Sequence, residues 1–330
     1  MIYSGFYRDA SGYGELLRRE MANGGTLRRL FRDGVSAEAD VPANGDVAML
    51  RRDVIAQDEV EMIVGSPIDI SQMADGVCRQ VGYTCWETDR LPRGVVDMLK
   101  TVPMVYVPSR FTCAVMDDAG ITAESRHVTP RFIQRSETPF AGLSSSTFMF
   151  YCQMSWQPRK NPSGLLTAYL SEFDRDRDDV VLVIKVPDAW MIQAQADAQQ
   201  AILAAGLKQS APRILILGGA WPQGVNDAFH ARGDCYVCLS RGESLALPLL
   251  DAWASGVPVI ATGWSAPAEY VPRESLVEYR RVPVMQNYTY FDARQQWADP
   301  DILHAAHLMR KEYTLGRRRI ASPIHEGAAA

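Results

Sequence analysis

The chain has 330 residues, 47% of them hydrophobic and 22% charged, with a formal net charge of −5. That length exceeds what one core ordinarily serves, so two globular domains are expected. The negative balance argues against wholesale nucleic-acid binding, and no window approaches the roughly 18 apolar residues needed to span a bilayer. Met1-Ile2-Tyr3-Ser4-Gly5 has neither the basic nor the apolar region of a signal peptide, and six scattered cysteines suit a reducing compartment. A cytoplasmic location is the expectation.

Residues 1–10 read as a short strand leading into Ser11-Gly12-Tyr13-Gly14 and a helix from Glu15 to about Ala22. A glycine-rich turn between strand and helix lets the backbone approach a ligand closely, which makes Gly12 and Gly14 candidates for ligand binding. Arg18, Arg19, Arg28, Arg29 and Arg32 crowd this region, and Arg317, Arg318 and Arg319 close the chain. A basic face here would suit an anionic membrane, a phosphorylated acceptor or nucleic acid; a solvated helix face is the plainer reading. Glu61–Gly65, Gln80–Tyr83 and Pro103–Pro108 read as strands, the last followed by a helix through Asp118. Regular alternation of strand and helix means a parallel sheet with right-handed crossovers. Glu87, just past a strand end and beside the aromatic Trp86, is read as an acceptor-side residue or helper base, against a plain capping acid.

Residues 136–146 are the most loop-like stretch of the middle and are taken as the interdomain linker, which puts a first domain at 1–140 and a second at 147–298. The second opens with the strand Thr147–Cys152, then Gln157-Pro158-Arg159-Lys160-Asn161-Pro162 and a helix from Ser163 to Phe173. Lys185 reads as an edge-exposed lysine or a spare cation, and Trp221 as a nucleobase wall or an idle aromatic. Asp174-Arg175-Asp176-Arg177-Asp178-Asp179 reads as a self-paired, solvated loop. Cys235 and Cys238 fall inside an apolar strand, where residues three apart face opposite ways, so no metal is assigned. Residues 299–330 form a last helix and a tail; His304 and His307 on it are read as packing residues.

The stretch from Ser240 to Thr262 carries the most information. It reads as strand, turn, helix, tight turn, strand, with Glu243 in the turn and Asp251 eight positions on, inside the helix. At about 1.5 Å per residue the two carboxylates could address groups roughly 10 Å apart on one ligand. The first helical amides suit a phosphate between them. A nucleotide sugar has that shape.

This run resembles the donor-site signature of the retaining, family-4-like or "group 1" GT-B glycosyltransferases: an acid, seven residues, an acid, then a Gly-Val-Pro-Val-Ile strand start. Here Ser244, Leu245 and Ala246 stand where the family has Gly-Phe-Gly, and Asp251 where it usually has Glu. Arg159 and Lys160 are similar to the family's Arg-Lys-Asn segment, with Met154 and Ser155 where relatives carry a further arginine. Trp86-Glu87 before Leu91-Pro92, Val107-Pro108-Ser109 and Gly263–Tyr270 resemble further family segments, and Trp86 beside Glu87 is an aromatic suited to sugar stacking. Thr129-Pro130-Arg131-Phe132 stands where a Pro-His-Gly-like turn is usual.

The resemblance implies an α/β protein of two Rossmann-like domains with parallel sheets facing across a cleft, the last helix able to cross back onto the first domain. It implies retaining transfer of a hexose-like sugar from a UDP- or GDP-sugar, without cofactor or metal, to a hydroxyl on a polysaccharide, lipid carrier, small metabolite or modified base. Glu243 would bind the sugar and Asp251 the ribose, while Arg159, Lys160 and the amides of Ser244, Leu245, Ala246 and Leu247 would hold the diphosphate, with the first loop at Gly12 and Gly14 facing the donor across the cleft. The rival expectations are a nucleotide-sugar epimerase of the same fold and a noncatalytic donor-binding subunit.

Overall fold

The computed structural model describes residues 1–5, 12–22, 26–30, 60–76, 78–136, 138, 140–207, 210–285 and 291–321. Two six-stranded parallel sheets dominate it. The first is built from β1 (Ile2–Gly5), β2 (Thr26–Leu30), β3 (Val60–Val64), β4 (Arg79–Tyr83), β5 (Val105–Val107) and β6 (Ala123–Ser125). Their spatial order is β2-β1-β3-β4-β5-β6, the flavodoxin-like order. Helices α1 (Gly12–Met21), α2 (Pro67–Met73), α3 (Arg93–Leu99) and α4 (Arg110–Asp118) connect these strands. Local chemistry sets their starts. Ser66 and Asp69 form a capping box on α2, and the Ser109 hydroxyl accepts the Thr112 amide at the start of α4.

The second sheet contains β7 (Phe148–Gln153), β8 (Val180–Lys185), β9 (Arg213–Leu217), β10 (Cys235–Cys238), β11 (Val259–Thr262) and β12 (Leu276–Val277). Its order is β12-β11-β10-β7-β8-β9, the doubly wound Rossmann order read from its far edge. β7 and β8 are almost continuously apolar and buried, as strands covered on both faces must be. Helices α5 (Pro162–Glu172), α6 (Met191–Ala204), α7 (Gln223–Arg232) and α8 (Leu247–Ala254) link these strands. Lys185 is thus on an interior strand, half-buried, with its ammonium 5.6 Å from the Trp221 ring centre; it is not an exposed edge lysine. Trp221 in turn donates to the Gly218 carbonyl and packs on Phe140 and Phe229.

The chain returns to the first domain in an unexpected place. A hairpin of β13 (Tyr279–Pro283) and β14 (Gln296–Pro300) carries Val284, Phe291 and Trp297 into the apolar cluster of Ile63, Trp86, Leu99 and Val105. The last helix, α9 (Ile302–Ala321), lies instead against α5 of the second domain, with Tyr313 on Phe148 and Phe173 and Arg310 on Glu172 and Asp178. The Asp174–Asp179 loop is self-paired, as in the Asp176 amide on Asp174 and the Asp174 amide on Asp178, and is tied to α9 as well. No helix among the described residues is long and apolar enough to cross a membrane.

Candidate functional site

In an open parallel sheet, ligands gather beyond the carboxyl ends of the strands where the order reverses. For the second sheet that point lies between β7 and β10, its neighbours. The loop after β7 carries Arg159 and Lys160, and the loop after β10 carries Glu243. Topology therefore brings together residues 83 positions apart. Lys160 Nζ is 2.6 Å from Glu243 Oε1, and an Arg159 Nη is 3.2 Å from Glu243 Oε2. The two loops are also stitched through their backbones: Arg241 N–H donates to the Arg159 carbonyl, and the Arg159 guanidinium donates to the Gly242 carbonyl.

Glu243 is almost fully buried. Burial alone would raise its pKa, but the charges of Lys160 and Arg159 and hydrogen bonds from Lys160 and Ser240 outweigh it and hold the carboxyl at about 2. It is a permanent anion at neutral pH. Arg159 also reaches across to the first domain, 3.4 Å from Glu87 Oε1, just beyond the end of β4. Two cations thus face two carboxylates.

Trp86 is not a platform for a sugar. It is buried, its indole N–H donates to Thr88 and to the Arg90 carbonyl, and its ring packs on Phe291. Gly14 is buried inside the first turn of α1, and Gly12 begins that helix; Ser11 lies outside the described residues.

The loop from Ser244 to Leu247 is engaged with the first domain. The Ser244 hydroxyl is 2.8 Å from that of Thr112 at the start of α4, both buried. Leu245 and Leu247 pack against the first-domain cluster of Tyr3, Leu16, Leu17, Met62, Val81 and Tyr83. Ala246 keeps a left-handed conformation, φ 65°, at the position where the family has its second glycine. The turn survives the substitution at the cost of strain in a residue with a Cβ. Pro248 leaves the first turn of α8 one amide fewer to offer an anion. A cavity of about 950 Å³ is lined by Trp156, Pro158, Leu166, Asp197 and Arg241.

Asp251, inside α8, meets a partner that spacing in the sequence does not announce. Its carboxylate is gripped by both terminal nitrogens of Arg19, at 2.8 and 2.5 Å, and accepts the Arg131 amide at 2.9 Å. Thr129–Phe132, which lacks the family's His and Gly, thus abuts the second acid of the pair. Arg18 and Arg19 are ion-paired with Glu15, and Arg19 is nearly buried, so these two do not form an open basic face. The side chains of Arg28, Arg29, Arg32, Arg318 and Arg319 lie outside the described residues. A further bridge was not foreseen: Glu269, in the Gly263–Tyr270 segment, accepts the Arg110 and Phe111 amides and so caps α4 from the opposite domain. Its glutamate spacing carried no hint of that partner.

Residues 145–283 match the family model described as Glycosyl transferases group 1. The second domain is a group 1 glycosyl transferase domain. Three solved structures share the fold along nearly the whole chain. The trehalose-6-phosphate synthase OtsA has a TM-score of 0.60 at 8% identity, covering 99% of this chain and 99% of that one. A UDP-forming alpha,alpha-trehalose-phosphate synthase from Burkholderia xenovorans scores 0.59 at 10% identity, covering 98% and 95%. An E. coli trehalose-6-phosphate structure bound with UDP-2-fluoro glucose scores 0.59 at 8% identity, covering 97% and 94%. At such identities the likeness is one of fold, the two-domain GT-B architecture. No curated protein sequence matches the chain. Within the group 1 domain, Glu243, Arg159 and Lys160 all fall inside the matched span.

Proposed function

We propose that the protein is a retaining glycosyltransferase that moves a hexose-like sugar from a UDP- or GDP-sugar to an acceptor hydroxyl. The observation that carries this reading is the buried Glu243–Lys160–Arg159 cluster at the switch point of the group 1 domain, opposed by Glu87 from the other domain. The E. coli neighbour bound with UDP-2-fluoro glucose and the UDP-forming Burkholderia synthase favour a uridine donor.

Glu243 would hold sugar hydroxyls beside the reacting carbon. Arg159, Lys160 and the loop amides of 244–247 would take the negative charge that develops on the departing diphosphate, the kind of preorganised electrostatic help that usually dominates catalysis. The bond from the anomeric carbon to the diphosphate oxygen breaks, and one to the acceptor oxygen forms on the same face. The acceptor proton passes to the leaving phosphate oxygen. Glu87, on the first domain, would orient that hydroxyl.

A second reading is favoured by Leu245 and Leu247 being packed into the first domain: a noncatalytic subunit that binds nucleotide sugar without cleaving it. One experiment separates the two. Purified protein is incubated with UDP- and GDP-sugars, and free nucleoside diphosphate is measured over time. Release by the wild type and not by Glu243→Gln supports transfer; binding without release supports the subunit; neither sinks both.

A further inference from the structure

Asp251 and Arg19 face each other across the domain boundary with side chains only 7% and 9% exposed. Both terminal nitrogens of the guanidinium engage the carboxylate, the paired geometry that makes an arginine–carboxylate contact strong and directional. The pair is buttressed on each side. Glu15, one turn before Arg19 on α1, accepts from Arg19 Nε at 2.7 Å and from Arg131 at 2.8 Å. The Arg131 amide completes Asp251. The Ser255 hydroxyl, near the end of α8, accepts the Ile133 amide at 2.8 Å.

This network holds one face of α8. The other end of the interface is held by different atoms: Ser244 on Thr112, and Glu269 on the Arg110 and Phe111 amides. Between these anchors the cleft is tight. A Cβ added to Gly242 would collide with the Glu87 backbone carbonyl of the first domain. A nucleoside diphosphate is far larger than a methyl group. To meet Arg159 and Lys160 it must displace Glu87, which Arg159 bridges to Glu243, and find room beside a loop whose Leu245 and Leu247 are packed on the first domain.

We infer that Arg19 is a positioning residue that latches α8 and its preceding loop, Ser244–Leu247, onto the first domain, and that this latch must open before a nucleoside diphosphate enters. The ligand half of this inference rests on the transferase reading; the mechanical half does not. The thermodynamic consequence is definite. When only the open fraction of a protein binds, its apparent affinity is reduced by that fraction, so weakening the latch tightens binding.

The test uses the full chain with Arg19→Gln, and with Arg19→Lys, which keeps the charge but not the two-pronged grip. Circular dichroism establishes that each folds. Hydrogen exchange is followed in peptides covering Arg131 and, separately, Phe111. The Arg131 amide bonds directly to Asp251, whereas the Phe111 amide bonds to Glu269 at the other anchor. A latch predicts that Arg19→Gln speeds exchange at both sites by about tenfold, with Arg19→Lys between the two proteins. Faster exchange at Arg131 alone marks a local strut and overturns the inference. Titration with UDP and GDP tests the ligand half: about tenfold tighter binding by Arg19→Gln is expected, and equal or weaker binding overturns it. If neither protein binds either nucleotide while both peptides exchange faster, the latch stands and the transferase reading falls.

Discussion

Replacing Glu243 by Gln removes one charge and almost no volume, so it isolates what the ion cluster contributes. The carboxyl is held at about 2 against an ordinary 4.5. At 1.36 kcal/mol per pKa unit that difference corresponds to about 3 kcal/mol favouring the ionised form in the folded state. The side chain is only 7% exposed, so solvent screening takes little from this figure. The sign follows from the direction of the shift. A depressed folded-state pKa stabilises the protein above the unfolded-state value, and the benefit drains away as pH falls through 4.5 toward 2. Denaturant unfolding at a series of pH values is the assay. At pH 7 the wild type should exceed Glu243→Gln by about 3 kcal/mol, and the gap should shrink as pH falls below 4.5. The difference curve cancels the other carboxylates, which titrate in both proteins. A gap that stays constant from pH 7 to pH 3 would refute the reasoning, because it would place the stabilisation elsewhere than in the Glu243 charge.

Other consequences are as direct. Lys160→Ala removes the 2.6 Å partner of Glu243 and one of the two cations facing the loop; calorimetry should show weaker binding of nucleoside diphosphate as well as nucleotide sugar, and equal affinity would take Lys160 out of the site. Ala246→Gly relieves a φ of 65° that costs a residue with a Cβ on the order of 1 kcal/mol, so thermal melting should rise by about 2 °C; a fall would mean that the methyl group packs better than the strain hurts. Gly242→Ala forces a methyl against the Glu87 carbonyl and within 3.0 Å of the Trp264 ring. Such overpacking costs about 2 kcal/mol, read by denaturant midpoint, and an unchanged midpoint would show that the cleft is looser than drawn.

Much of the second domain is legible in the sequence because its signals are local. Turn, helix and strand follow one another between Ser240 and Thr262, where α8 and β11 fall, although the strand before them, β10, already ends at Cys238. Asn161 and Pro162 mark the start of α5 in the same local way, the Asn161 side chain accepting the Gly164 amide. What joins Arg159 and Lys160 to Glu243, by contrast, is sheet order, and spacing alone could not bring them together; family resemblance did.

The illegible features share a cause, which is that partners distant in the chain decide them. The Arg19–Asp251 pair spans 232 positions, and a helix bearing two arginines looks the same whether it faces water or another domain. Trp86 reads as a surface aromatic until Phe291, brought by the returning chain, covers it. Lys185 looks like an edge residue because nothing local shows that β9 lies beyond β8. The return to the first domain was expected of the last helix, yet α9 packs on α5, and the apolar residues around the β13–β14 hairpin make the crossing. Leu245 and Leu247 suit an amphipathic helix start equally well in an open or a filled cleft; only the first-domain cluster shows which applies.

The most direct test of the central claim is nucleoside diphosphate release from UDP- and GDP-sugars by the wild type and by Glu243→Gln under identical conditions. The account predicts steady release of UDP or GDP from at least one donor by the wild type and none above background by the variant. Equal release by both proteins, or none from any donor by the wild type, would contradict it.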